Sequence, residues 1–324
     1  MPTQKVRDER TDSVKYWLIV LVIIGHVFGR EEFYNTASCV VIGRWIYLFH
    51  MPLFIFISGY FSRKKSKKDL WASIWSLLEP LIFFQALTLT PRLLFKGTDN
   101  YLITILTPWY ALWYLLSLIC WRLILQLVPD RILNNMKLVI TCTFCISILA
   151  GFLPFNYFLS LQRTLSFMPF FFWGYCMRGK CIYLLDKYKP YCFLFLILTI
   201  AIPLFFPQYV VNLMHADPYS NIYGALHRAF IFGLAIPMSI AFINIVPNIQ
   251  WAAQQGKLTM QYYIYHALLI PPLMFVVCKT GVPVSLFTAT LYSIIIIIGI
   301  GMASHLPYFR KLTNISTFFK TILR

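Results

Sequence analysis

Residues 9 to 30 read ERTDSVKYWLIVLVIIGHVFGR. From Val14 to Gly29 this is a membrane-spanning helix that enters with Arg10, Asp12 and Lys15 and carries one ionisable side chain, His26, deep among apolar ones. An ionisable group inside a bilayer is costly, so it faces a bundle interior or a wet cavity rather than lipid. Lys15 and His26 are eleven residues apart, about three helical turns, so they share a face and lie about 16 Å apart along the axis. One face of one helix thus joins a cationic entrance to a deep imidazole. The competing reading is a packed histidine bonded to a neighbouring helix.

Composition sets this helix in a membrane protein. The chain has 324 residues, is 59% hydrophobic with mean hydropathy +0.70, and holds only 12% charged residues, which excludes an ordinary soluble domain. Its formal charge of +17 does not call for nucleic acid as a partner, because the basic residues sit in short segments between apolar runs, as the positive-inside rule requires. Eight cysteines are scattered, mostly inside those runs. Cys142 and Cys145, the one close pair, read as small apolar filler, with a redox or metal pair as the alternative, and no metal is expected. The first apolar run lacks a small-residue cleavage site after it and reads as a retained span. The expectation is an all-α polytopic protein forming a single integral-membrane domain over 1–324, with no appended soluble domain.

About twenty apolar residues make a crossing, which places ten spans at 14–29, 43–62, 70–90, 109–128, 136–153, 164–178, 190–207, 222–246, 258–278 and 284–303. Sorting the loop Lys and Arg residues onto alternate sides puts nineteen on one side and five (Arg30, Arg92, Lys96, Arg163 and Lys279) on the other. Both termini are therefore expected in the cytoplasm, which agrees with an even number of crossings. Neither an internal repeat nor a low-complexity linker is visible.

That orientation gives depth to the remaining polar residues. The second span, FHMPLFIFISGYFS followed by RKKSKK, carries His50 in its outer half and Ser58 and Gly59 near the cytoplasm. His26 and His50 thus lie at similar depth on consecutive spans. Gly59 serves either a ligand's close approach or the packing of a neighbouring helix. The third span has Glu79 followed by Pro80 near mid-depth; an intramembrane carboxyl is a functional candidate, with Arg122 or Lys15 as structural partners in the alternative reading. Trp109, Trp113 and Tyr114 read as an interfacial aromatic belt, or else as a sugar platform. Arg163 opens the sixth span, where snorkelling also accounts for it; Arg228, beside His227, is deeper in the eighth, and His266 follows Tyr262 and Tyr263 in the ninth. The outer segment 208–221, with His215 and Asp217 and no Lys or Arg, is a candidate acceptor entrance.

At Arg10, Asp12, Lys15 and Gly25-His26, followed by FHMPLFIFISGYF at 49–61, the chain resembles the acyltransferase 3 family of integral-membrane acyltransferases, and most of all its fucose 4-O-acetylase-like members. LWYL at 112–115, MPFFFWGY at 168–175 and YYIYH ending at His266 agree with this. The family pattern of a basic residue, ten intervening residues and a histidine is met by Lys15 and His26, although many members have Arg at the first position. Members often carry an arginine near the third-span proline, where this chain has Glu79, so that arginine's role is not transferred. The resemblance implies transfer of an acyl group, usually acetyl from acetyl-CoA, to a hydroxyl of a carbohydrate, free or lipid-linked, across a bacterial cytoplasmic membrane.

The residues fit that chemistry. A donor with a phosphorylated end needs cations at the cytoplasmic face, and the expected donor set is Arg10, Asp12, Lys15, Ser58, Gly59, Arg63, Lys64 and Lys65. The axial span from Lys15 to His26 matches an extended pantetheine arm. His26 is the expected general base, with His50, Glu79, Arg163, Arg228 and His266 as candidates for orienting the acceptor or stabilising the oxyanion. An acetyl-histidine intermediate is a variant of this route. The alternative from another class is a transporter or flippase for a lipid-linked glycan.

Overall fold

A computed structural model describes residues 8–95, 100–211 and 213–313, and the described residues contain helices and no strand. Lys5, Arg7, Lys96, Lys320 and Arg324, which contribute to the charge asymmetry, lie outside them. The α-helices are α1 Glu9–Phe28, α2 Ala37–Tyr60, α3 Lys67–Phe95, α4 Tyr101–Leu106, α5 Trp113–Leu127, α6 Asp130–Leu133, α7 Met136–Ala150, α8 Leu161–Cys176, α9 Lys189–Leu198, α10 Ala201–Phe205, α11 Tyr223–Ile245, α12 Gln250–Gly256, α13 Thr259–Thr280, α14 Leu286–His305 and α15 Pro307–Leu312. Each of the ten spans expected from hydropathy falls on a helix or helix pair. Eight segments have the length and apolar character of a crossing; α7 is a shorter apolar helix and α8 has 16 residues.

The span at 190–207 is broken into α9 and α10. Pro203 lacks the N–H that the Thr199 carbonyl needs four residues earlier, and that carbonyl accepts from Ile202 instead. The Thr199 hydroxyl donates to Leu196 O and accepts from Trp45 Nε1 at 3.0 Å, tying the break to α2.

Loops of alternate connections meet each other, as a serpentine chain requires. On the basic side, Ser13 donates to Pro247 O, Gln126 brackets the Lys65 backbone with both amide atoms, Tyr60 donates to Lys180 O, and Lys64 pairs with Asp130. On the opposite side, Tyr219 N donates to Gly151 O, and the Gln85 side chain holds the 105–109 loop.

Helix α1 is central. In its apolar window 67% of the residues are buried, against 17% for Asp186–Phe205, and it packs on α2, α12, α13 and α14. Its start is fixed by Asp8, whose carboxylate accepts from the backbone of Arg10 and Thr11. Helix α2 lies between α1, α8 and α11. Glycine decides how closely it meets α8: a Cβ on Gly59 would stand 1.9 Å from Phe171 O, and one on Gly174 would stand 2.0 Å from Phe56 O. Gly59 is thus a helix-packing residue rather than a donor contact.

Candidate active site at a three-histidine cluster

Three helices each bring one histidine to a common point. His26 on α1, His50 on α2 and His266 on α13 are ring neighbours, with His26 centred 6.3 Å from His50 and 5.0 Å from His266. The same local device orients all three. Each Nδ1 bonds the carbonyl one turn back in its own helix: Val22 O at 2.8 Å, Ile46 O at 2.8 Å and Tyr262 O at 2.9 Å. A carbonyl only accepts, so the proton is assigned to Nδ1 and each neutral ring keeps its lone pair on Nε2. His50 and His266 are completely buried, and their Nε2 atoms have no hydrogen-bond partner. His26 is half-buried.

Two cavities flank the cluster. The first, about 330 Å³, opens on the basic side and is lined by Lys15, Arg63, Lys65, Arg122 and Lys257 with no carboxylate, then by Ser58, Tyr114 and Tyr263 at its inner end. Lys15 is held by the buried carboxylate of Asp12 at 3.1 Å and sits over the Phe61 ring. Arg122 donates to the carbonyl and hydroxyl of Ser73. Desolvation, then the charges of Arg122 and Arg63, lower the pKa of the Lys65 ammonium, with Asp69 opposing them in part. Ser58 donates to Phe54 O and accepts from Tyr114 OH at 2.5 Å. Tyr263 donates to Ala111 O and its ring is 5.9 Å from that of His266, so this cavity ends one side chain from the cluster.

The second cavity, about 250 Å³, reaches the cluster from the opposite side. His26 and His50 line it together with Tyr47, Tyr110, Trp113, Tyr157 and Arg163. Arg163 is buried between the rings of Trp113 and Tyr157, at 5.2 and 5.1 Å, and its one hydrogen-bonding contact among the described residues is a weak one, to Met214 Sδ at 3.8 Å. Tyr110, whose ring lies 5.1 Å from that of His26, has φ +48°. Left-handed backbone at a bulky residue costs on the order of 1–3 kcal/mol and persists where surroundings over-determine it. Here Tyr263 holds the next carbonyl, and Gln85 accepts from the preceding Trp109 N–H.

One stripe of α2 runs through both cavities. Tyr47 and Met51 line the second, and Phe54, Ser58 and Phe61 line the first. Their spacing of three and four residues is one helix face. Pro52 interrupts the helix beside His50, removing the N–H that would bond Leu48 O.

Of the expected donor residues, Lys15, Ser58, Arg63 and Lys65 line the first cavity and Asp12 braces it. Arg10 does not line it, because its guanidinium covers the Tyr183 ring at 3.8 Å; nor does Lys64, drawn away by Asp130 at 2.9 Å. Among the candidates for the acceptor side, the structure brings together His26, His50, His266 and Arg163. Arg228 is buried elsewhere, donating to Ser147 O at 2.7 Å over the Tyr219 ring, and half-buried Glu79 on α3 lines neither cavity. Trp113 and Tyr114 are buried cavity walls rather than an interfacial belt. Arg122, Lys257, Tyr47, Tyr110, Tyr157 and Tyr263 were not singled out from sequence as parts of these sites. Only the α2 stripe carried a periodic signal for any of them.

A polytopic α-helical membrane protein with a histidine centre approached through two cavities is the class this architecture defines. A family model described as an acyltransferase domain matches residues 9–304, so the chain belongs to the acyltransferase 3 family of membrane acyltransferases. It is similar to nodulation protein NolL of Mesorhizobium japonicum, 29% identical over 186 residues, which are 52% of this chain and 47% of that protein. It is also similar to nodulation protein NolL of Sinorhizobium fredii, 36% identical over 94 residues, 27% of this chain and 26% of that one. The matched stretches therefore span less than half of either relative. No solved structure matches the chain.

Proposed function

We propose that the protein is an O-acetyltransferase that takes an acetyl group from acetyl-CoA at the cytoplasmic face and transfers it to a hydroxyl of an extracytoplasmic or lipid-linked carbohydrate. The observation that carries this reading is the position of His26, half-buried in the wall of the arginine-and-aromatic cavity and next to His266, which Tyr263 alone separates from the cation-lined cavity. Five cations on a cavity wall that itself carries no carboxylate, Lys15 among them braced from behind by Asp12, suit the phosphates of the donor. The apolar and hydroxyl-bearing inner wall, through Leu18, Phe54, Ser58 and Tyr114, suits its arm.

In this reading His26 Nε2 accepts the proton of the acceptor hydroxyl as that oxygen bonds to the thioester carbonyl carbon. The carbon–sulfur bond then breaks, and the departing thiolate takes the proton back from His26. The Nδ1 bond to Val22 O holds the ring in the tautomer this requires. Arg163 supplies a buried positive charge in the same cavity, suited to the oxyanion, and His50 offers a second acceptor for a sugar hydroxyl.

The test is reconstitution of the purified protein in vesicles with labelled acetyl-CoA on the donor side and oligosaccharides released from the host's cell envelope on the other. Label in the oligosaccharide supports the enzyme. Oligosaccharide crossing the bilayer without acquiring label supports a transporter and overturns the proposal.

A further inference from the structure

A third cavity, about 510 Å³, lies farther out, lined by Tyr34, Val40, Arg44 and Asp217 among others. It shares Tyr47, Tyr157, Leu213 and Met214 with the cavity that holds His26 and His50. The two are lobes of one cleft, and Val40, Arg44 and Tyr47 extend the cavity-lining stripe of α2 outward by two turns. The outer lobe has twice the volume of the inner one and a different chemistry.

Arg44 is a cation on the outer half of a membrane helix that makes no ion pair or hydrogen bond among the described residues, and it is only partly exposed. Asp217, exposed in the 208–221 segment, lines the same lobe without pairing with it. Tyr34 and Tyr157 stand half-exposed around it. A guanidinium, a carboxylate and aromatic faces on one cleft are the groups that bind a sugar ring, the charged pair to its hydroxyls and the rings to its apolar face. A cleft for a lipid phosphate would not carry Asp217.

We infer that the outer lobe is a second sugar subsite: the acceptor has at least two units, one reacting at His26 and the next held between Arg44 and Asp217. This rests on the reading of the inner lobe as the acceptor site. It makes chain length a determinant of recognition, set by residues that touch no reacting atom.

The experiment separates this inference from that reading because it scores binding without turnover. Oligosaccharides released from the host's cell envelope are labelled, fractionated by length and bound to the purified full-length protein. Fragments of two or more units are retained about tenfold better than single sugars, the effect of one added charged hydrogen bond. Arg44→Ala and, on a separate element, Asp217→Asn each abolish that preference, while Arg44→Lys restores part of it. His26→Gln keeps it. Equal retention of single sugars and longer fragments, or an unchanged preference in both Arg44→Ala and Asp217→Asn, overturns the inference. Failure of acetyl transfer in the vesicle assay, with the length preference intact, overturns the transferase reading alone.

Discussion

His26 differs from His50 and His266 in reach: all three rings are fixed by a carbonyl one turn back, but His26 alone is half-buried, while the other two are enclosed. If it takes the acceptor proton, His26→Ala leaves acetyl-CoA bound and lowers turnover by roughly two to four orders of magnitude, the usual contribution of a positioned base. His26→Gln is nearly as poor, since an amide keeps a hydrogen bond but takes no proton. Turnover per folded molecule decides the matter; near-native activity of the Gln variant would shift the role to His50 or His266. Gly59 gives the opposite signature. Its missing Cβ is what lets α2 approach Phe171 O on α8, so Gly59→Ala lowers the melting temperature and yield in detergent. Acetyl-CoA affinity of the surviving protein stays unchanged, and selective loss of donor binding would return Gly59 to the donor site.

Among elements, the 61–66 turn and α6 divide the work of a basic cluster that the sequence presents as uniform. Arg63 and Lys65 face the first cavity, whereas Lys64 is turned onto Asp130. The combined Arg63→Gln and Lys65→Gln variant therefore weakens acetyl-CoA binding by about tenfold or more, as loss of charged hydrogen bonds does. Lys64→Gln leaves it unchanged, by equilibrium dialysis with labelled donor. Equal effects of the two would restore the cluster to a single role. The ten spans were legible because hydropathy reports directly on lipid exposure, and His26 and His50 were legible because an imidazole among apolar residues stands out. Arg122 and Lys257 were not, since their part depends on which way α5 and the segment after α12 face. Arg228 misled for the converse reason. It is buried, but Ser147 and Tyr219 claim it in another part of the bundle.

Across the whole molecule, the two cavities have use only if they open to opposite compartments. The Lys/Arg asymmetry predicts that the cation-lined one faces the cytoplasm, and the contacts among alternate loops give the folded chain the same two-sided order. Single cysteines test this in a background without the eight native ones. Ser66 is a poor probe because its hydroxyl accepts from Asp69 N and donates to the Asp69 carboxylate at the start of α3, and loss of such a cap costs about 1 kcal/mol. Lys68, exposed and two residues on, is the better choice, paired with exposed Ser220 on the other side. In sealed cells a membrane-impermeant maleimide labels Ser220→Cys but not Lys68→Cys; after permeabilisation it labels both. The reverse pattern would exchange the faces, presenting acetyl-CoA to a cavity with one arginine and three tyrosines and the sugar to one with five cations. The transfer direction proposed for the protein would then fail with it.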